Sequence, residues 1–149
     1  MEDAHLWWTV MDTSHKWSED EKFTNHRTKS NPALAVFQGK LYCVHRGDAD
    51  GKLWWTMYDP GSEGGWTEDK PFPNHYSKEG PALAVFNNHL YCVHRGGSDA
   101  SLWWTRFNGN SWTTDTRLAD HFSGAGPAIV SYRSPNGTED QLFCVHRGN

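Results

Sequence analysis

Three recurring groups hold the side chains able to make directed contacts. His-Arg stands at 45–46, 94–95 and 146–147, each pair followed by Gly. A second His follows Asn25, Asn74 or Asp120, at positions 26, 75 and 121. A tandem Trp pair occupies 7–8, 54–55 and 103–104. Arg presents five N–H donors in a rigid fork that suits vicinal hydroxyls or a carboxylate. His adds a donor and an acceptor, and an indole adds a flat apolar face. Together they fit a ligand with hydroxylated edges and an apolar face. Arg and His are seldom fully buried without a partner, so their recurrence at loop mouths favours a ligand role over a core role. The second Trp of each pair is expected to be the stacking plate, and the first (Trp7, Trp54, Trp103) to be core. The expected ligand-binding set is therefore Trp8, Trp55, Trp104, Arg46, Arg95, Arg147, His26, His75 and His121.

Catalysis is not expected. A glycosidase needs two carboxylates at a defined separation in one site. Here the acids either recur with the other groups (Asp20, Asp69, Asp115) or lie scattered (Glu63, Glu68). No GxSxG, P-loop or HExxH pattern occurs. No cofactor is expected. Cys43, Cys92 and Cys144 share the spacing of the other groups and form no CxxC pair, so no zinc site or disulfide framework is expected. They read as small buried hydrophobes. The spacing of His26 and His45 leaves a paired-His metal site open but unsupported.

These groups must be positioned by repeated elements. LYCVHRG at 41–47 returns at 90–96 and as LFCVHRG at 142–148, and LWWT stands at 6–9, 53–56 and 102–105. PALAVF at 32–37 recurs at 81–86, and as PAIV at 127–130. A lone Trp follows each LWWT, at 17, 66 and 112. The period is about 49 residues. Each unit holds short runs rich in β-branched and aromatic residues, separated by Gly, Asn, Asp or Pro, which are strand and turn signals. Four strands are expected per unit: A (PALAVF), B (LYCVHR), C (LWWTRF) and D, beginning at the lone Trp. Such a repeat is the signature of a β-propeller blade. Trp17, Trp66 and Trp112 are expected to cap packing between blades. Tyr42, Tyr91 and Phe143 are expected in the core, and Asp50 and Asp99 in Asx-turns.

The first unit opens on strand C and the last ends on strand B. The expected organisation is a half blade at 6–25, blades at 32–74 and 81–120, and a half blade at 127–148. Arg46 to Trp55 and Arg95 to Trp104 each span nine residues; Arg147 through the C-terminus and on to Trp8 gives ten. The halves thus match an internal B–C turn. Propellers typically hold four to eight blades, so three are expected to close as a homodimeric six-bladed ring with shared closing blades. This also removes exposed strand edges. A fragment of a longer propeller is the alternative.

Composition is consistent with this. Of 149 residues 14% are aromatic, including nine Trp, although mean hydropathy is only −0.79. Disordered chains lack such aromatic content. A net charge of −4 and the absence of a basic patch argue against a nucleic-acid partner. No run approaches the ~18 apolar residues of a membrane span. The start, MEDAHLWW, lacks a signal-peptide pattern, so a cytosolic protein or one whose leader was removed is expected.

The motifs P-A-x-x-V-F, L-Y-C-V-H-R-G, L-W-W-T and S-W-T resemble those of β-propeller lectins. The resemblance covers essentially all three repeats. It is closest to bacterial lectins with repeats near fifty residues that bind fucose-type or O-methylated sugars, and similar in plan to six-bladed fucose lectins. It implies multivalent sugar sites at or between blades. Those fucose lectins place an Arg, an acid and an aromatic residue between blades. Here Trp8, Trp55 and Trp104 stand at the acid position, and Tyr42, Tyr91 and Phe143 at the Arg position. A peptide-binding propeller is the rival class.

Overall fold

The structure is a computed structural model that describes residues 3–149. It is all-β apart from one three-residue 3-10 turn, Glu63–Gly65. Twelve strands form four antiparallel sheets. β1 (His5–Trp8) and β2 (Glu21–Arg27) make a two-stranded sheet. β3 (Ala33–Phe37), β4 (Lys40–Arg46), β5 (Lys52–Met57) and β6 (Lys70–Tyr76) form a four-stranded meander. β7 (Ala82–Phe86), β8 (His89–Arg95), β9 (Ser101–Phe107) and β10 (Thr116–Phe122) form the next. β11 (Ala128–Tyr132) and β12 (Gln141–Val145) make a second two-stranded sheet. The first strands of successive sheets, β3, β7 and β11, pack beside one another.

Tight turns join β3 to β4 and β7 to β8. Gln38 and Gly39 have φ of 51° and 73°, and Asn87 and Asn88 have 49° and 59°, the signs that the twist-matched hairpin turn requires. β4 is buried from Tyr42 through His45, because the neighbouring sheets cover both its faces. The fourth strand of each complete sheet is an outer edge, which is why β6 tolerates Pro71 and Pro73.

The fourth strands do not begin at the lone Trp, as expected. They start at Glu21, Lys70 and Thr116, and run to Arg27, Tyr76 and Phe122, past the expected limits 25, 74 and 120. The lone Trp instead forms an isolated bridge to the end of the preceding strand: Met11–Trp17, Tyr58–Trp66 and Phe107–Trp112. A hydroxyl hook fixes that corner. Thr56 Oγ1 donates to Thr67 O at 2.7 Å while Met57 N donates to Thr67 Oγ1 at 3.0 Å. The same pair of bonds joins Thr105 and Arg106 to Thr113, and Thr9 and Val10 to Ser18. The final Thr of LWWT and the hydroxyl after the lone Trp are therefore one structural device.

Ring stacking seals the seams between sheets. Phe23 of β2 stacks on Trp66 of the next sheet at 4.7 Å between centroids, and Phe72 of β6 lies 4.2 Å from Trp112. Tyr42 and Tyr91 are buried as expected, but Phe143 is 45% exposed. Cys43 and Cys92 are buried and Cys144 is half-buried. Among the described residues no helix is long and apolar enough to cross a membrane.

Candidate functional site

Four of the six repeated His turn out to be structural. His26, His45, His75 and His94 are buried, each with its Nε2 bonded to a fixed acceptor, while the Nδ1 of His26, His45 and His94 has no partner among the described residues. His45 Nε2 donates to Asp69 Oδ2 and His94 Nε2 to Asp115 Oδ2, both at 2.7 Å within a sheet. His26 Nε2 donates across a seam to Thr67 O at 2.9 Å, and His75 Nε2 to Thr113 O at 2.8 Å. A His buried with a fixed acceptor is a packing element, so the expected ligand roles of His26 and His75 give way to seam bonds. Burial holds His26 below its ordinary value by desolvating the imidazolium. His121, at the equivalent place in the third unit, is exposed.

The expected Arg set divides in the same way. Arg46 Nε donates to Ser77 O and Arg95 Nε to Ser123 O, both at 2.6 Å. Arg147 Nη2 donates to Gly124 O at 2.5 Å. Each thereby ties a second strand to the segment leaving a fourth strand. Thr28, Ser77 and Ser123 brace that segment, each hydroxyl donating to a carbonyl two residues on and lying close to Arg46, Arg95 or Arg147 O. This Ser/Thr stands two residues after the His in every unit, a repeated signal the residue survey passed over.

The two Trp of each pair are placed on opposite faces, and Trp54 and Trp103, not the expected Trp55 and Trp104, line the cavities. The second lines the wall between sheets. Trp8 packs edge-on against Tyr58 and Trp66, and Trp55 lies 6.0 Å from Tyr42 and 5.1 Å from Phe107. Trp104 lies 5.7 Å from Tyr91. The first Trp faces outward: Trp7 is 48% exposed, and Trp54 and Trp103 are half-buried beside cavities. Adjacent strand residues point to opposite faces, so one Trp of each pair must face away from the other. The repeated Asp fixes the outward indole. Asp50 Oδ1 accepts Lys52 N at 3.0 Å and Trp54 Nε1 at 3.3 Å. Asp99 accepts Ser101 N and, at 3.5 Å, Trp103 Nε1. Asp3 accepts His5 N and Trp7 Nε1, each at 3.0 Å, and its bonds from His5 hold its carboxyl down at about 2. The Asx-turn is thus also a bracket for the Trp. The Gly of HRG makes room for it, since a Cβ on Gly47 would stand 2.6 Å from Asp50 Oδ1 and 2.7 Å from Trp54 Nε1.

Two cavities result, each between a fourth strand and the following sheet. The larger, about 640 Å³, lies between the loops 48–51 and 96–99. Asn74, Tyr76 and Lys78 line one side and Trp103, Asp99 and Asp115 the other, with Lys29 and Arg46 completing it. The smaller, about 170 Å³, is lined by Asn25, Arg27, Asp48, Asp50, Trp54 and Asp69. Asp115 and Asp69 each spend Oδ2 on a His and keep Oδ1 without a partner among the described residues. Both Oδ1 atoms are buried, so the larger cavity offers an indole face, a phenol and an amide. Of the nine residues expected to bind ligand, only Arg46 lines either cavity. Among the described residues no group of three or more His, Cys, Asp or Glu is gathered to hold a metal.

No family model and no curated protein matches the chain. Among solved structures, AofleA from Arthrobotrys oligospora is similar, with a TM-score of 0.51 at 12% identity, covering 98% of this chain and 48% of that chain. The chain thus spans about half the length of the chain it matches. At that identity the likeness is one of fold.

Proposed function

We propose that the chain is a carbohydrate-binding protein without catalytic function, a lectin built as half of a six-bladed β-propeller. The cavity beside Trp103 carries this reading. A pyranose is apolar on its C–H face and hydroxylated at its edge; an indole face takes the first, and directed polar groups take the second. Trp103, held by Asp99, supplies the plate. Asn74 and Tyr76 supply acceptors and donors at the rim. A volume of about 640 Å³ lies within the roughly 300–1,000 Å³ of ordinary ligand pockets.

The propeller reading is supported by the row of four-stranded meanders, whose first strands adjoin, and by the fold likeness to AofleA. The two terminal sheets are complementary halves. β11 and β12 are the first two strands of a unit, and β1 and β2 the last two. Residues buried at internal seams are bare at the ends: Trp17 is 65% exposed against 5% for Trp66, and Val145 71% against 0% for Val44. A second copy would place its β1 and β2 beside β12, offering Asp20 to His146 and Ser18 O to His121. Closure would multiply weak sites into avidity. The test is an array of immobilised neutral mono- and oligosaccharides. Specific binding that free sugar displaces is expected; no binding to any glycan at high protein concentration contradicts the reading.

A further inference from the structure

The two cavities occupy equivalent places yet differ nearly fourfold in volume, about 640 against about 170 Å³. Their Trp–Asp brackets and His-bound carboxylates correspond. Two things differ: the larger is also walled by Lys29, Arg46 and the loop 48–51, which have no counterpart lining the smaller, and the pair of residues facing each other across the mouth is not the same. β2 ends in Arg27 where β6 ends in Tyr76, and the loop after β4 carries Asp48 where the loop after β8 carries Gly97. Arg27 Nε donates to Asp48 Oδ2 at 2.9 Å, so an ion pair runs from one sheet to the loop of the next, and both partners line the smaller cavity. At the larger cavity Tyr76 meets a bare glycine. A Cβ on Gly97 would stand 2.9 Å from the Tyr76 Cβ, so this pairing leaves the loop no side chain with which to bridge.

We propose that the Arg27–Asp48 pair latches the Trp54 cavity against ring-sized ligands, leaving the Trp103 cavity as the chain's own open site. This rests on the sugar-binding reading above. An exposed ion pair is a weak bond, so the latch acts by the space that Arg27 and Asp48 take at the mouth and by tethering loop 48–51 to β2, beside the wall that the larger cavity has and the smaller lacks. Positions 27 and 48 thereby decide whether a bracketed Trp becomes a binding site. The smaller cavity lies below the roughly 300 Å³ at which ligand pockets begin, and the larger lies above it.

The test is a rescue on an array of immobilised neutral monosaccharide glycosides. Every protein carries Trp7→Ala, so that a cavity completed by a neighbouring copy reports nothing. Trp103→Ala is expected to lower the signal roughly tenfold or more. Adding Arg27→Tyr with Asp48→Gly is expected to restore it, and further adding Trp54→Ala to abolish the restored part. Asp48→Asn, which keeps the loop's volume, is expected to restore less, and thermal unfolding checks that each variant folds. The latch is overturned if Trp103→Ala leaves the signal intact, if neither mouth variant restores it, or if the restored signal survives Trp54→Ala. If the parent binds no glycoside at all, the sugar-binding reading falls and takes the latch with it.

Discussion

At the scale of single residues, repetition marks packing as strongly as it marks binding. His26 and His75 recur because every seam needs the same buried bond, His45 and His94 because each sheet ties its second strand to the Asp before its fourth, and Arg46 and Arg95 because every unit ties its second strand to the outgoing segment. A repeated polar residue was therefore readable as important, but not as a ligand contact. The choice between Trp54 and Trp55 was hidden for a related reason. The middle strands are covered on both faces, so β4 is buried at four consecutive positions and alternation carries no phase. The buried His26 also has a consequence for acid stability. Its value lies below the ordinary 6.5 because burial disfavours the charged ring. The unfolded chain thus takes up that proton first as the pH falls. The stability linked to His26 is whole above about pH 6.5 and is lost as the pH drops toward the lowered value of the folded state. Urea midpoints should fall between about pH 7 and about pH 5, and His26→Gln, which keeps a donor for Thr67 O, should flatten part of that slope. An unchanged slope in the variant would assign the acid sensitivity to other groups.

At the scale of elements, most of the architecture was legible. The four strands per unit, their order and the Asn-Asn and Gln-Gly turns followed from short β-rich runs with turn residues between them. The start of the fourth strand did not, because the lone Trp sits in a β-like sequence. Its neighbouring hydroxyl is captured by the Thr of LWWT, which makes a corner there instead. The stacks that cross the seams carry much of the packing. Phe72 is 1% exposed and packs edge-on against His75 and tilted against Trp112. Phe72→Ala should cost about 3–5 kcal/mol, read from urea denaturation, since it removes a buried ring and leaves a cavity. A cost under about 1 kcal/mol would show that the seam does not hold the sheets together.

At the scale of the molecule, the ends of the chain present the unmatched halves of a seam. Leu34, Phe143 and Val145 are exposed, while their counterparts within the chain, Leu83, Tyr42 and Tyr91, and Val44 and Val93, are buried. If two copies close a ring, light scattering should give a mass near twice 17.0 kDa. A thiol reagent at neutral pH should then label none of the cysteines quickly. Cys43 and Cys92 are buried, with burial pushing Cys43 up to about 12 and Cys92 well above its ordinary value, and closure would cover Cys144 as well. A 17.0 kDa species with one fast-reacting thiol would mean that the seam stays open. The central claim, however, is that sugar binds against the indole of Trp103. The most direct measurement is array affinity for wild type and Trp103→Ala, both checked for equal thermal stability. The account predicts a loss of roughly tenfold or more in the variant; equal affinity in two equally stable proteins would contradict it.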